Sequence, residues 1–215
     1  MNTRISRLPI QPIILIVVAG ILLRIIFYQF FAWYYFGVEN FECNGDSKEY
    51  ILAIRNLIHY GEYTIDFGDE RGYFARSPGY PFFIGFIYLL SGLNLELTKE
   101  LLPWIQILLD GLNIFLCYRI LDSLQQRKSA IILAVLYACY PFVILWNPII
   151  QSEILTVTFM LLSICVLVRA KSKGQFFLIG ILCSLATLTR MQLLLLPITL
   201  ILCLAAHWRA KAVKL

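Results

Sequence analysis

Two carboxylates and two guanidiniums in this sequence have the chemistry to move a proton and hold an anion: Asp46 and Glu153, and Arg76 and Arg190. A carboxylate fixed in place can take a proton from a hydroxyl. A guanidinium can grip a phosphate with two parallel hydrogen bonds. Arg24, Tyr50, Tyr80, Gln106 and Asp110 add polar groups in or beside apolar runs. Each of these residues also has a plain structural use. Asp46 followed by Glu49 has the spacing of a capping box. Arg76-Ser77-Pro78-Gly79-Tyr80-Pro81 makes a rigid turn. Arg24 and Arg190 can snorkel towards lipid headgroups. Gln106, Asp110 and Asn113 share one helical face, and either line a cavity or bond between helices. Glu153 suits a helix start whatever else it does.

The elements that position these groups are set by an apolar composition. Sixty per cent of the 215 residues are hydrophobic and 14% are charged, with a mean hydropathy of +0.78. A soluble domain of this size cannot bury so much apolar surface, so the bilayer is the expected solvent. The net charge of +5 then reports on topology before it reports on a partner, and nucleic acid is not expected. Five of the six cysteines sit inside apolar runs, and His59 and His207 lie far apart, so neither a disulfide framework nor a zinc-type ligand set is indicated.

The expected architecture is all-α, a single polytopic membrane domain over 1–215 with about six transmembrane helices. Ile10–Phe31 is the first span, preceded by Arg4 and Arg7, which places the amino terminus in the cytoplasm. Residues 32–100 form an extracytoplasmic first loop with juxtamembrane helices at 46–60 and 80–93. Leu101–Leu121, Ser129–Trp146 and Ile154–Val168 follow as spans, and Gln175–Ala206, too long for one crossing, splits near Thr189-Arg190. The run Tyr80–Leu93 is short for a span. Keeping it on the outer face puts 11 of the 18 Lys and Arg residues on the cytoplasmic side.

The longest polar interval runs from Cys43 to Pro81, and eight of the 13 acidic residues lie between Glu39 and Glu70. Within it, Tyr50, Ile51, Ile54, Leu57 and Ile58 recur at helical spacing, which predicts a helix over Asp46–Tyr60 ended by Gly61. On this topology Asp46, Arg76, Glu153 and Arg190 meet at the outer membrane surface from four separate segments.

The order of these pieces resembles the amino-terminal portion of the GT-C class of integral-membrane glycosyltransferases, nearest to protein O-mannosyltransferases and aminoarabinose transferases. The likeness rests on Leu22-Leu23-Arg24, on Gly45-Asp46 with Tyr50 and Ala53, and on Arg76 to Pro81. It continues through Gln106, Ser152-Glu153-Ile154-Leu155 and Leu188-Thr189-Arg190. Ser77 and Met191 stand where the family commonly has proline.

The resemblance implies a donor sugar on a polyprenyl phosphate, transferred to an acceptor hydroxyl on the extracytoplasmic face of a bacterial cytoplasmic membrane. Asp46 would be the general base and Glu153 a second acidic site. Arg76, Arg190, Tyr50, Tyr80, Arg24, Gln106 and Asp110 would serve substrate. Metal dependence varies among such relatives, and no divalent metal is assigned. Members of the class usually extend well beyond this length, so the chain is expected to be incomplete relative to them. That expectation supports a competing reading, a non-catalytic lipid-sugar-binding or assembly subunit working with a partner membrane subunit. A small transporter is a third reading, motivated by Asp110 and Arg24. The long acidic outer loop and the lack of an internal repeat count against it.

Overall fold

In lipid the backbone has no water to bond with, and a helix satisfies its peptide groups within one segment. The computed structural model describes residues 11–37, 46–65 and 76–212, and among these every regular element is helical. Arg4, Arg7, Ile10, Cys43 and Gly45, invoked above, lie outside the described residues, as does part of the acidic interval.

Helix α1 (Gln11–Ile26) passes through a π-helical turn, Phe27–Phe31, into α2 (Ala32–Phe36). Helix α3 (Asp46–Tyr60) ends at Gly61, whose φ of 74° is one that glycine adopts without strain. Helices α4 (Gly79–Leu90) and α5 (Leu95–Ser123) follow, then α6 (Arg127–Ala138) and α7 (Pro141–Trp146). The chain closes with α8 (Glu153–Leu167), α9 (Lys173–Thr189), a 3-10 turn over Met191–Leu195 and α10 (Leu196–Ala212).

Among the described residues, Pro12–Phe36 and Leu95–Ser123 are the two helices long and apolar enough to cross a membrane. Gly79–Leu90, Glu153–Leu167, Lys173–Thr189 and Met191–Cys203 are apolar but shorter. The stretch Ser129–Trp146, expected as one span, is instead broken. Pro141 has no N–H to continue the helix, and Tyr140 before it takes an extended conformation (φ −68°, ψ 114°). The expected break near Thr189-Arg190 is present: Arg190 is extended, at φ −146° and ψ 118°, between α9 and the 3-10 turn.

Helix α5 is the hub, packing against α1, α4, α6 and α8, while α3 lies on α4 and α8 on α9. The α1–α5 crossing is close because Gly20 faces Ile114 and Gly111 faces Ile21 and Val17. Among the described residues, three apolar clusters draw on α5, the smallest joining Leu116 and Cys117 to Leu161. Of the two larger ones, one joins Ile13, Ile114, Ala130 and Ala134, and the other joins Tyr50, Ile54, Tyr80, Ile84, Leu102 and Leu155.

Arg24 and Asp110 are buried beside that crossing and paired through the Arg24 Nε and Asp110 Oδ2 atoms. Arg24 Nη1 also donates to the Gly20 and Ala138 carbonyls, each at 2.9 Å. Tyr137 donates its hydroxyl to Asp110 Oδ1 at 2.7 Å. One ion pair thus ties α1, α5 and α6 together.

Removing one member of a buried pair leaves an uncompensated charge, which costs about 3–5 kcal/mol. Arg24→Ala is therefore expected to lower thermal stability sharply in a detergent melt. Replacing both members, as in Arg24→Met with Asp110→Leu, should recover part of the loss. Equal melting temperatures for wild type and Arg24→Ala would contradict this role.

Candidate active-site cleft

Three segments meet at one end of the bundle. The first is the amino-terminal turn of α3. Asp46 and Glu49 are three residues apart, so both carboxylates project to the same side of the helix. Both pair with Arg76, Asp46 through Nη2 and Glu49 through Nε. Asp46 is the first helical residue, and its carboxylate and that of Glu49 close on the guanidinium, where the sequence spacing suggested a capping box.

The second segment is the turn that carries Arg76, Ser77 and Pro78 into α4. Tyr63 donates its hydroxyl to the Arg76 carbonyl at 3.2 Å and stacks on Phe82. Burial, and after it the neighbouring Tyr50, pushes the Tyr63 phenol up to about 12, so it stays protonated and can keep donating at neutral pH. The hydrogen bond to Glu49 pushes the Arg76 guanidinium above its ordinary value; burial opposes this and the Asp46 charge adds to it. The guanidinium lies 5.9 Å from the centre of the Tyr50 ring, within cation–π range.

The third segment is the break after α9. Arg190 pairs with Glu153 at the start of α8. Thr156, one turn into α8, donates to Thr189 at 3.0 Å. Asp46, Tyr50, Arg76, Ser77, Pro78, Thr187, Thr189, Arg190 and Gln192 line a single cleft of about 530 Å³. A second cavity of about 470 Å³, mostly apolar, is lined by Phe142, Val143, Trp146, Ile154 and Val157 with Tyr137, Gln151 and Glu153. The Glu153–Arg190 pair joins the two, since Glu153 lines the apolar cavity and Arg190 the polar cleft.

The frame of the cleft is held by bonds to backbone. Ser47 donates to the Ile150 carbonyl at 2.9 Å. Gln106 donates to the carbonyls of Asn147 and Ile149, at 2.7 and 2.8 Å. Tyr50 donates to Ser152 at 3.4 Å. The non-helical segment between α7 and α8 is thereby fixed to α3 and α5, and that placement sets Glu153. Gly79 lets α4 begin against the end of α9: a Cβ there would stand 2.6 Å from the Leu188 carbonyl carbon and 2.7 Å from the Thr189 nitrogen.

The residues singled out from sequence divide into two groups. Asp46, Tyr50, Arg76 and Arg190 line the cleft, and Glu153 reaches it through Arg190. Tyr80, Gln106, Arg24 and Asp110 are buried and absent from its lining. Tyr80 donates to Gln106 at 2.6 Å, and Arg24 and Asp110 hold each other. Sequence reading passed over Glu49 as a partner for Arg76, and over Thr187, Thr189 and Gln192 as lining. The three-residue spacing from Asp46 was the available signal for Glu49. Thr187, Thr189 and Gln192 line the cleft because they flank the break at Arg190. Among the described residues, no group of three or more His, Cys, Asp or Glu side chains is placed to share a metal ion.

The family model described as dolichyl-phosphate-mannose-protein mannosyltransferase matches residues 75–215. The match takes in Arg76, Glu153 and Arg190 and begins after Asp46. No curated protein and no solved structure matches the chain.

The close approach at Gly79 makes a direct test of this frame. Gly79→Ala must push α4 away from rigid backbone, at a cost of about 1–3 kcal/mol. Its melting temperature should fall. Gly180→Ala, where a Cβ meets nothing within 4 Å, should leave it unchanged or raise it. Two equal melting temperatures would show that α4 does not depend on this contact.

Proposed function

The chain belongs to the dolichyl-phosphate-mannose-protein mannosyltransferase family, and we propose that it moves a sugar from a polyprenyl-phosphate donor to an acceptor hydroxyl, with Asp46 as general base. The observation that carries this reading is the cleft itself. A carboxylate and two guanidiniums from three segments line it, and an apolar cavity adjoins it across the Glu153–Arg190 pair. That combination suits a ligand with a charged, hydroxyl-rich head and a hydrocarbon tail.

The donor's first isoprene units lie in the apolar cavity and its sugar phosphate in the cleft. The acceptor oxygen attacks the anomeric carbon as Asp46 takes the hydroxyl proton. The bond between that carbon and the phosphate oxygen breaks, and its electron pair stays on the phosphate. Polyprenyl phosphate leaves with one more negative charge than the donor carried, and Asp46 is left neutral, so charge balances. Arg76 and Arg190 stabilise the charge that develops on the leaving group. Glu153 orients Arg190 and the acceptor. A single displacement of this kind inverts the anomeric centre.

The reading places the cleft on the extracytoplasmic side, in a six-span topology with a cytoplasmic amino terminus in a bacterial inner membrane. The distribution of Lys and Arg along the chain supports that orientation.

Asp46→Asn keeps the size of the side chain and removes the base. Transfer of sugar from polyprenyl phosphate to acceptor, measured on the folded variant, should fall by about 10²–10⁴-fold. Turnover near the wild-type rate would end the assignment of Asp46.

A further inference from the structure

The two carboxylates on Arg76 are not equivalent. Asp46 lines the cleft and its side chain is 49% exposed. Glu49 is absent from the cleft lining and its side chain is 26% exposed. They also use different atoms of the guanidinium: Glu49 takes Nε, next to the side-chain stem, and Asp46 takes Nη2 at the tip.

Charge in the site sharpens the distinction. Among the described residues, the ion pairs at the cleft set three carboxylates, Asp46, Glu49 and Glu153, against two guanidiniums, Arg76 and Arg190, and so carry one excess negative charge. A donor phosphodiester brings a further negative charge. The tip of Arg76 is where a phosphate would be gripped from the cleft, and there Asp46 holds Nη2, so a phosphate that takes that tip with two parallel hydrogen bonds competes with the Asp46 carboxylate for it. The carboxylate that yields at least cost is the one water can solvate when it is released. That is Asp46. Arg76 meanwhile stays held by Glu49 on Nε, by the Tyr50 ring 5.9 Å from its guanidinium carbon and by the Tyr63 hydroxyl on its backbone carbonyl at 3.2 Å.

We propose that Glu49 is a positioning residue: it holds Arg76 in the cleft while Arg76 exchanges Asp46 for the donor's phosphate, which frees the Asp46 carboxylate to receive the acceptor's proton. The proposal rests on the glycosyl-transfer reading above and adds a coupling to it. The base becomes available when the donor is bound, and an acceptor arriving first meets a carboxylate still paired to Arg76.

The test is binding of polyprenyl phosphate to the purified full chain, set beside donor KM and kcat. Asp46→Asn removes the competing charge and should bind polyprenyl phosphate roughly fivefold tighter, the scale of one half-exposed ion pair. Glu49→Ala should bind it roughly fivefold weaker and raise donor KM more than it lowers kcat. Glu49→Gln keeps an acceptor for Nε and should restore most of that loss, which a non-specific structural role would not produce. Tighter binding in Glu49→Ala, as simple loss of a negative charge would give, overturns the proposal. So does unchanged or weaker binding in Asp46→Asn. Those results would leave the loss of turnover in Asp46→Asn standing, whereas normal turnover in that variant would remove the transfer reading itself.

Discussion

A charge in an apolar chain must be paired or wetted, and that constraint shapes this structure more than any other. It is met in two ways. In the interior, Arg24 and Asp110 pair with each other, and Tyr137 and two backbone carbonyls add further bonds. At the cleft, Arg76 meets Asp46 and Glu49, and Arg190 meets Glu153, each pair partly open to solvent. The interior pair has no exposure through which to exchange partners, so it works as a clasp between α1, α5 and α6. The pairs at the cleft have that exposure, so they can serve chemistry.

The cleft depends on backbone placed by buried side chains. Ser47 and Gln106 hold the segment that precedes α8, Thr156 holds the end of α9, and Gly79 lets α4 start against it. The residues behind the lining thus fix where Glu153 and Arg190 stand. The family match begins at residue 75 and so does not reach Asp46. Helix α3 brings Asp46 in by packing Tyr50 and Ile54 against Tyr80 and Ile84 of α4.

Local signals in the sequence were the legible ones. The i, i+3, i+4 spacing from Tyr50 to Ile58, closed by Gly61, marks α3 at the bounds observed. The excess length of Gln175–Ala206 marks a break, and the break falls at Arg190 although Met191 is not a proline. Partner identity was not legible. Nothing in the spacing of Arg24 and Asp110, 86 residues apart, says that they meet. The resemblance implies a substrate role for both, whereas they are buried and absent from the cleft lining. The division of Ser129–Trp146 was visible in Pro141, but the apolar run on either side masked it. Among the described residues, length and composition single out Pro12–Phe36 and Leu95–Ser123 as the helices able to cross a membrane, ahead of the shorter apolar ones.

On the proposed function, a phosphate-headed lipid sits between Arg76 and Arg190 with its tail in the neighbouring apolar cavity. An experimental structure of the full chain with polyprenyl phosphate bound tests this most directly. The phosphate is expected in contact with Arg76 or Arg190, the first isoprene units beside Phe142 and Trp146, and Asp46 facing the open cleft. A phosphate bound on another face of the bundle, or a lipid tail that leaves the Phe142–Trp146 cavity empty, would contradict it.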